Sequence, residues 1–188
     1  MFGEITYYQE ESPGFFKPAN TFSSMFNTNS GYGQLECEMT ALAGSFRAVI
    51  PEFDFYVTLG NFFWSIGAGR CVVAAYKLAK RFGALPDYAA ARLNAIQKSP
   101  FRDKTVVITG DLFRMERPEA LFEVRKRGGL TSDNPVNTMD ILVLGSQEWS
   151  EMNGGVASRK VQKAVDLQKK GRKIAIISED DFYSMLNE

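Results

Sequence analysis

Histidine is absent from the 188 residues, and that absence removes more chemistry than any single motif adds. Without an imidazole there is no serine or cysteine triad built on a histidine base, no histidine-containing zinc site and no histidine-assisted nuclease. Cysteine is nearly absent too. Cys37 and Cys71 are the only two, too few for a disulfide framework or a four-ligand zinc site, and both are expected to be buried thiols. Neither a G-x-x-x-x-G-K-[ST] phosphate loop nor a G-x-G-x-x-G fingerprint occurs.

Long apolar runs are missing as well. No stretch reaches the roughly 18 to 20 uncharged residues that span a bilayer. The opening MFGEITYYQEESPG is acidic and polar where a secretory signal would be basic and then apolar. The expectation is a soluble, cytoplasmic protein with no membrane partner. Charge of one sign is lacking in excess: Lys plus Arg is 22 and Asp plus Glu is 22. Any basic site must therefore be local.

What is present divides near residue 98, where AIQKSPFRDK sets Ser99-Pro100 between a helical pattern and a strand. Residues 1 to 98 are read as a smaller, mainly helical domain with an irregular, aromatic-rich start, since FFKPANTFSSMFNTNSGYG follows neither helical nor strand period. GQLECEMTALAGSFRAVI and VTLGNFFWSIGAG are apolar enough to be buried. GRCVVAAYKLAKRFG reads as an amphipathic helix closed by Gly83, and PDYAAARLNAIQ as another, with Pro86 near its first turn. Arg70, Lys77, Lys80, Arg81, Arg92 and Lys98 offer either a basic strip or a solvated helix face.

Residues 99 to 188 alternate strand and helix, which implies an α/β fold with a parallel sheet covered on both faces. KTVVITG and DILVLG are continuous apolar runs of the kind buried in such a sheet, and KIAIIS is a third. A helix from Pro118 turns Ala120, Leu121 and Val124 inward and stops at Gly128-Gly129. SQEWSEMNGGVA reads as a long polar loop. Ser158 caps a helix through Lys170 whose inner face is Val161, Ala164, Val165 and Gln168 or Leu167. Ser178 caps a last helix with Phe182, Met185 and Leu186 inward.

Three features converge on a possible anion site. Thr109 and Gly110 end the first strand, and ligands of open α/β sheets sit beyond the carboxyl ends of strands. A hydroxyl and an unencumbered backbone N–H there suit phosphate. Arg159 and Lys160 occupy a helix's first turn, where positive charge costs roughly 0.3 to 1 kcal/mol each unless a bound anion reverses the sign. Lys163 follows one turn on. Arg117 opens the first helix with a fork that fits phosphate. The plainer account of these residues is a solvated arginine and lysines that keep the surface soluble.

FRDKTVVITGDLFRMERPEALFEVRKRGG, with TMDILVLG, SRKVQKAVDLQKKG and KIAIISEDDFYSML, resembles a BRCT domain across residues 99 to 188. The motifs are T-G after the first strand, R-x-E-A, G-G, D-x-L-V-x-G, K-x-x-K-A and I-I-S-E-x-x-F. They are similar to the group found in bacterial NAD-dependent DNA ligases, the clamp-loader large subunit and polymerase-III-epsilon-like exonucleases. The resemblance implies a four-stranded parallel sheet flanked by three helices, with LTS after Gly129 as the remaining strand. It also implies a phosphate pocket, often for the 5′-phosphate of a DNA end, at Thr109, Gly110, Arg117 and Lys160, and Lys163 also fits the motif. The stretch 146 to 157, with Trp149, is longer than in ligases and more like the exonuclease-linked version.

Residues 1 to 98 add no catalytic motif: neither K-x-D-G nor D-x-E occurs, and Glu36 and Glu38 in LECEM are weak metal candidates. SIGAGRCVVAAYKLAKRFG is similar to the G-x-G hairpins that contact DNA backbones in ligases, although ordinary helix packing explains it as well. The expected protein is a non-enzymatic DNA-binding accessory of replication or repair that needs no cofactor. Its expected partners are DNA with 5′-phosphate ends or nicks and a replication or repair protein. The alternatives are a protein-interaction adaptor, or a non-catalytic subunit of a split ligase or exonuclease.

Overall fold

The computed structural model describes residues 7–12, 15–19, 32–46, 52–83, 85–155 and 157–187. The described residues begin with an antiparallel pair, β1 (Tyr7–Ser12) and β2 (Phe15–Ala19), within the segment where the sequence shows no period. The remainder of that segment, 20–31, lies outside the described residues. Among the described residues four helices follow: α1 (Tyr32–Phe46), α2 (Glu52–Ser65), α3 (Gly69–Arg81) and α4 (Asp87–Lys98).

Helix α3 is the axis of this half. Cys71, Val72, Val73, Ala74, Ala75 and Tyr76 are all buried, so it is covered on nearly every side by its neighbours. Alanines allow that closeness, and Gly60 of α2 allows more: a Cβ there would come 2.2 Å from the Tyr76 ring. Gly83 takes φ +72 just after the helix, the left-handed backbone that ends it. Pro86 stands at the cap of α4, one position before its first turn.

One expectation for this half needs correcting. Cys71 is buried but Cys37 is exposed. Leu35 and Met39, four apart on α1, take the inward face, and helical geometry turns Cys37 away from it. The basic residues do not form a uniform strip. Arg81 pairs with Glu36 at 2.9 Å, Arg92 lies over the rings of Trp64 and Tyr88, Lys77 over Tyr32, and Arg70 reaches Asp103 at 3.5 Å. The Glu36 carboxylate is thus spent on Arg81, and the side chain of Glu38 lies outside the described residues.

From Thr105 the fold is α/β: β3 (Thr105–Thr109), α5 (Arg117–Lys126), β4 (Leu130–Ser132), β5 (Ile141–Leu144), α6 (Ser146–Asn153), α7 (Arg159–Lys169), β6 (Ala175–Ser178) and α8 (Glu179–Leu186). The expected four-stranded parallel sheet is present, in the order β4-β3-β5-β6, and LTS is one of its two edge strands. Every residue of β3 and β5 is buried, which explains why both read as unbroken apolar runs.

The pleat sorts those runs onto two faces. Val106, Ile108, Ile141 and Val143 join Phe101, Ala120, Val124, Phe182 and Tyr183 beneath α5 and α8. Val107, Leu142 and Leu144 join Val161, Ala164 and Leu167 beneath α7. Leu167 rather than Gln168 completes the inner face of α7, and Val165 is half-buried.

The stretch 146–157 departs from the polar loop expected of it, because residues 146–153 form α6. Gln147 and Glu151 bond one turn apart at 2.9 Å, Trp149 and Met152 lean on the α7-side core, and Gly155, at φ +87, ends the turn. A two-turn helix with two apolar anchors has too little period to be legible beforehand.

Candidate anion site at the carboxyl edge of the sheet

Strand β3 ends in Thr109, 4% exposed, and the chain then turns through Gly110 at φ +75, a conformation that favours glycine. Beside it β5 ends at Leu144, and the N–H of the next residue, Gly145, donates to the Thr109 carbonyl at 2.9 Å. A Cβ on Gly145 would fall 2.2 Å from the Asp111 carbonyl oxygen. That close approach brings the start of α6 against the end of β3.

The consequence is a contact absent from the sequence reading. The Thr109 hydroxyl donates to Glu148 Oε1 at 3.0 Å, and the Ser158 hydroxyl donates to Glu148 Oε2 at 3.4 Å. Ser158 is also the cap of α7, accepting from the Val161 N–H at 3.4 Å. One carboxylate thus bridges the end of β3 and the start of α7, and its Cγ lies 3.2 Å from where a Cβ on Gly110 would be.

Arg117, at the first position of α5, points back to the same edge. Its two terminal nitrogens donate to the Gly110 carbonyl at 2.8 Å and the Ile108 carbonyl at 3.4 Å. The guanidinium therefore braces the strand end. Lys160, two residues beyond Ser158, donates to the Asp133 carbonyl at 2.8 Å, just past the carboxyl end of β4. The fold thus gathers Thr109, Gly110, Arg117 and Lys160 along one edge. Arg159 and Lys163 are exposed on α7, and neither bonds to the Thr109 cluster.

Glu179, in the first turn of α8, organises the neighbouring loop. It is 4% exposed. Its carboxylate accepts from the backbone N–H groups of Phe113 and Arg114, from the Ser146 hydroxyl at 2.9 Å and from the Tyr183 hydroxyl at 2.9 Å. Burial pushes its pKa up, but the hydroxyl and backbone donors outweigh burial and the net direction is down. Tyr183 moves the other way, raised by burial and by the adjacent carboxylate. Arg114 covers this group, its guanidinium 5.0 Å from the Tyr183 ring centre and 3.0 Å from Asp180.

A cleft of about 430 Å³ opens here, lined by Gly110, Asp111, Leu112, Phe113, Ser146, Gln147, Glu148 and Glu151. Phe113 stands at its rim with 90% of its surface exposed. The G-x-G turn lies elsewhere. A Cβ on Gly69 would meet the Lys126 carbonyl oxygen at 2.3 Å, and one on Gly67 the Phe122 ring at 2.5 Å. That hairpin is packed against α5 instead of facing solvent.

Fold and site together define an α/β domain whose parallel sheet gathers hydroxyl and cationic donors at its carboxyl edge. No family model matches the chain. Among curated proteins it is 34% identical over 96 residues to a DNA ligase of Legionella pneumophila strain Corby, covering 51% of this chain and 12% of the ligase. It is 33% identical over 90 residues to a DNA ligase of Brucella ovis, covering 48% of this chain and 11% of that ligase. The chain therefore spans only a small part of the length of the curated relatives it matches. Among the described residues no helix is long and apolar enough to cross a membrane.

Proposed function

We propose that the chain is a non-catalytic, DNA-binding accessory protein of replication or repair. In this reading residues 99 to 188 are a BRCT domain that holds the 5′-phosphate of a DNA end or nick. The observation that carries it is the pair of hydroxyls, Thr109 and Ser158, already converged on an anionic group at the end of β3. Arg117 and Lys160 supply positive charge along that edge, and Arg159 and Lys163 extend it over α7. The likeness to DNA ligases supports a DNA-related role, and the matched lengths of 96 and 90 residues suit the α/β half.

Binding of a recessed duplex with and without a 5′-phosphate, followed by fluorescence anisotropy, tests the reading. The phosphorylated duplex is expected to bind more tightly, and Lys160→Ala to remove most of the difference. Equal affinity for the two duplexes overturns it. The adaptor reading has one observation of its own: Phe113, exposed beside a cleft lined by Asp111, Glu148 and Glu151, suits a protein segment better than DNA.

A further inference from the structure

The carboxylate of Glu148 stands where the proposed phosphate has to go. Thr109 and Ser158 each have one hydroxyl proton, and both protons point at Glu148. The Ser158 oxygen meanwhile accepts from the Val161 N–H, so its proton is the only donor it offers. A phosphate monoester and a carboxylate cannot share these two donors: there is one proton from each, and like charges a few ångströms apart repel.

Glu148 bridges these two hydroxyls without a cationic partner of its own. Among the described residues no lysine or arginine forms an ion pair with it; its charge is met by the two hydroxyls and by the start of its own helix, in whose first turn it stands. Its helix is lightly held. No residue of α6 is fully buried, and its apolar anchors, Trp149 and Met152, are half-buried. The amino end is tied through Ser146 to Glu179, whereas the carboxyl end runs into Gly154-Gly155. A short helix with no fully buried residue and glycines after it opens at modest cost, because its movement frees only the half-buried Trp149 and Met152 from the core.

We infer that Glu148 is a built-in competitor for the phosphate and that α6 is the gate carrying it. The closed site holds Glu148, and the open site exposes Thr109, Gly110 and Ser158 to the ligand. The apparent affinity for a phosphate is then lowered by the fraction of molecules that are closed. This inference rests on the phosphate reading of the site, and the experiment separates the two.

Wild type, Glu148→Ala and Glu148→Gln are titrated against the same recessed duplex with and without its 5′-phosphate. Glu148→Ala is expected to bind the phosphorylated duplex about ten-fold tighter or more, with the dephosphorylated duplex unchanged. Glu148→Gln keeps the shape without the charge, and is expected to gain in the same direction; it decides the matter should the alanine variant fold poorly. If wild type prefers the phosphate and neither variant gains, the gate is rejected while the site stands. If the variants gain equally on both duplexes, the effect is general charge removal and the gate is rejected. If wild type does not distinguish the duplexes, the phosphate reading falls and the gate falls with it.

Discussion

A Cβ placed on Gly69 would lie 2.3 Å from the carbonyl oxygen of Lys126 and 2.7 Å from that of Arg125. The start of α3 is thereby pressed onto the end of α5, and the helical half is docked on the α/β half. Arg70 supports the junction by reaching Asp103, and Lys126 lies over the Trp64 ring at 4.7 Å. Gly69→Ala is expected to push these surfaces apart, at about 1 to 3 kcal/mol for an overpacked contact against backbone. Calorimetry is expected to show a lower melting temperature, with faster proteolysis near residues 97–100. An unchanged thermogram would mean that the junction gives way without cost.

Glu179 ties the loop after β3 to the start of α6, and its depressed pKa makes that tie depend on pH. A carboxylate whose folded pKa lies below its unfolded value contributes stability above the unfolded pKa, about 4.3 for glutamate, and loses it as pH falls through the folded pKa. Glu179→Gln is therefore expected to be less stable than wild type at neutral pH by about 1.5 to 3 kcal/mol, the range for hydrogen bonds to a charged group. The gap in urea midpoint is expected to narrow as pH drops below 4. A gap that widens on acidification contradicts the assignment.

In the proposed phosphate site, Arg117 is expected to act through the strand end it braces. Arg117→Lys keeps the charge but cannot hold the Gly110 and Ile108 carbonyls with one planar fork. Both Arg117→Lys and Arg117→Ala are expected to weaken binding of 5′-phosphorylated duplex by about ten-fold, the scale of one charge-assisted bond. Full retention by the lysine variant would show that charge alone suffices.

If Arg159, Lys160 and Lys163 meet duplex phosphates, affinity is expected to fall with salt at a slope of about −0.9 per phosphate neutralised. Three or four contacts give a slope of roughly −3 to −4 on logarithmic axes. A flat dependence points to a protein partner at this edge.

Residues 99–188 alone are expected to fold and to keep the preference for a 5′-phosphate, since both apolar clusters of the sheet are complete within them. Residues 1–98 are expected to bind DNA weakly and without regard to its ends. Transfer of the preference to the first half would overturn the placement of the site.

Much of this was local and therefore legible. VVIT and ILVL announce buried parallel strands because both faces of each are covered, and Ser158 and Ser178 announce helix starts because a cap bonds three residues along its own chain. Thr109, Gly110, Arg117 and Lys160 were legible as candidates because each sits at the end of a recognisable element. Tertiary structure alone decided what those residues meet. Glu148 reaches Thr109 across 39 positions, Glu179 receives Phe113 across 66, and Gly69 meets Lys126 through a docking of two halves. In the linear chain Glu148 is one acid in a polar stretch, and only the closeness of Gly145 to Asp111 brings it over the end of β3. Periodicity and capping are written in neighbours along the chain, whereas the partner of a side chain depends on which strand ends the sheet sets side by side.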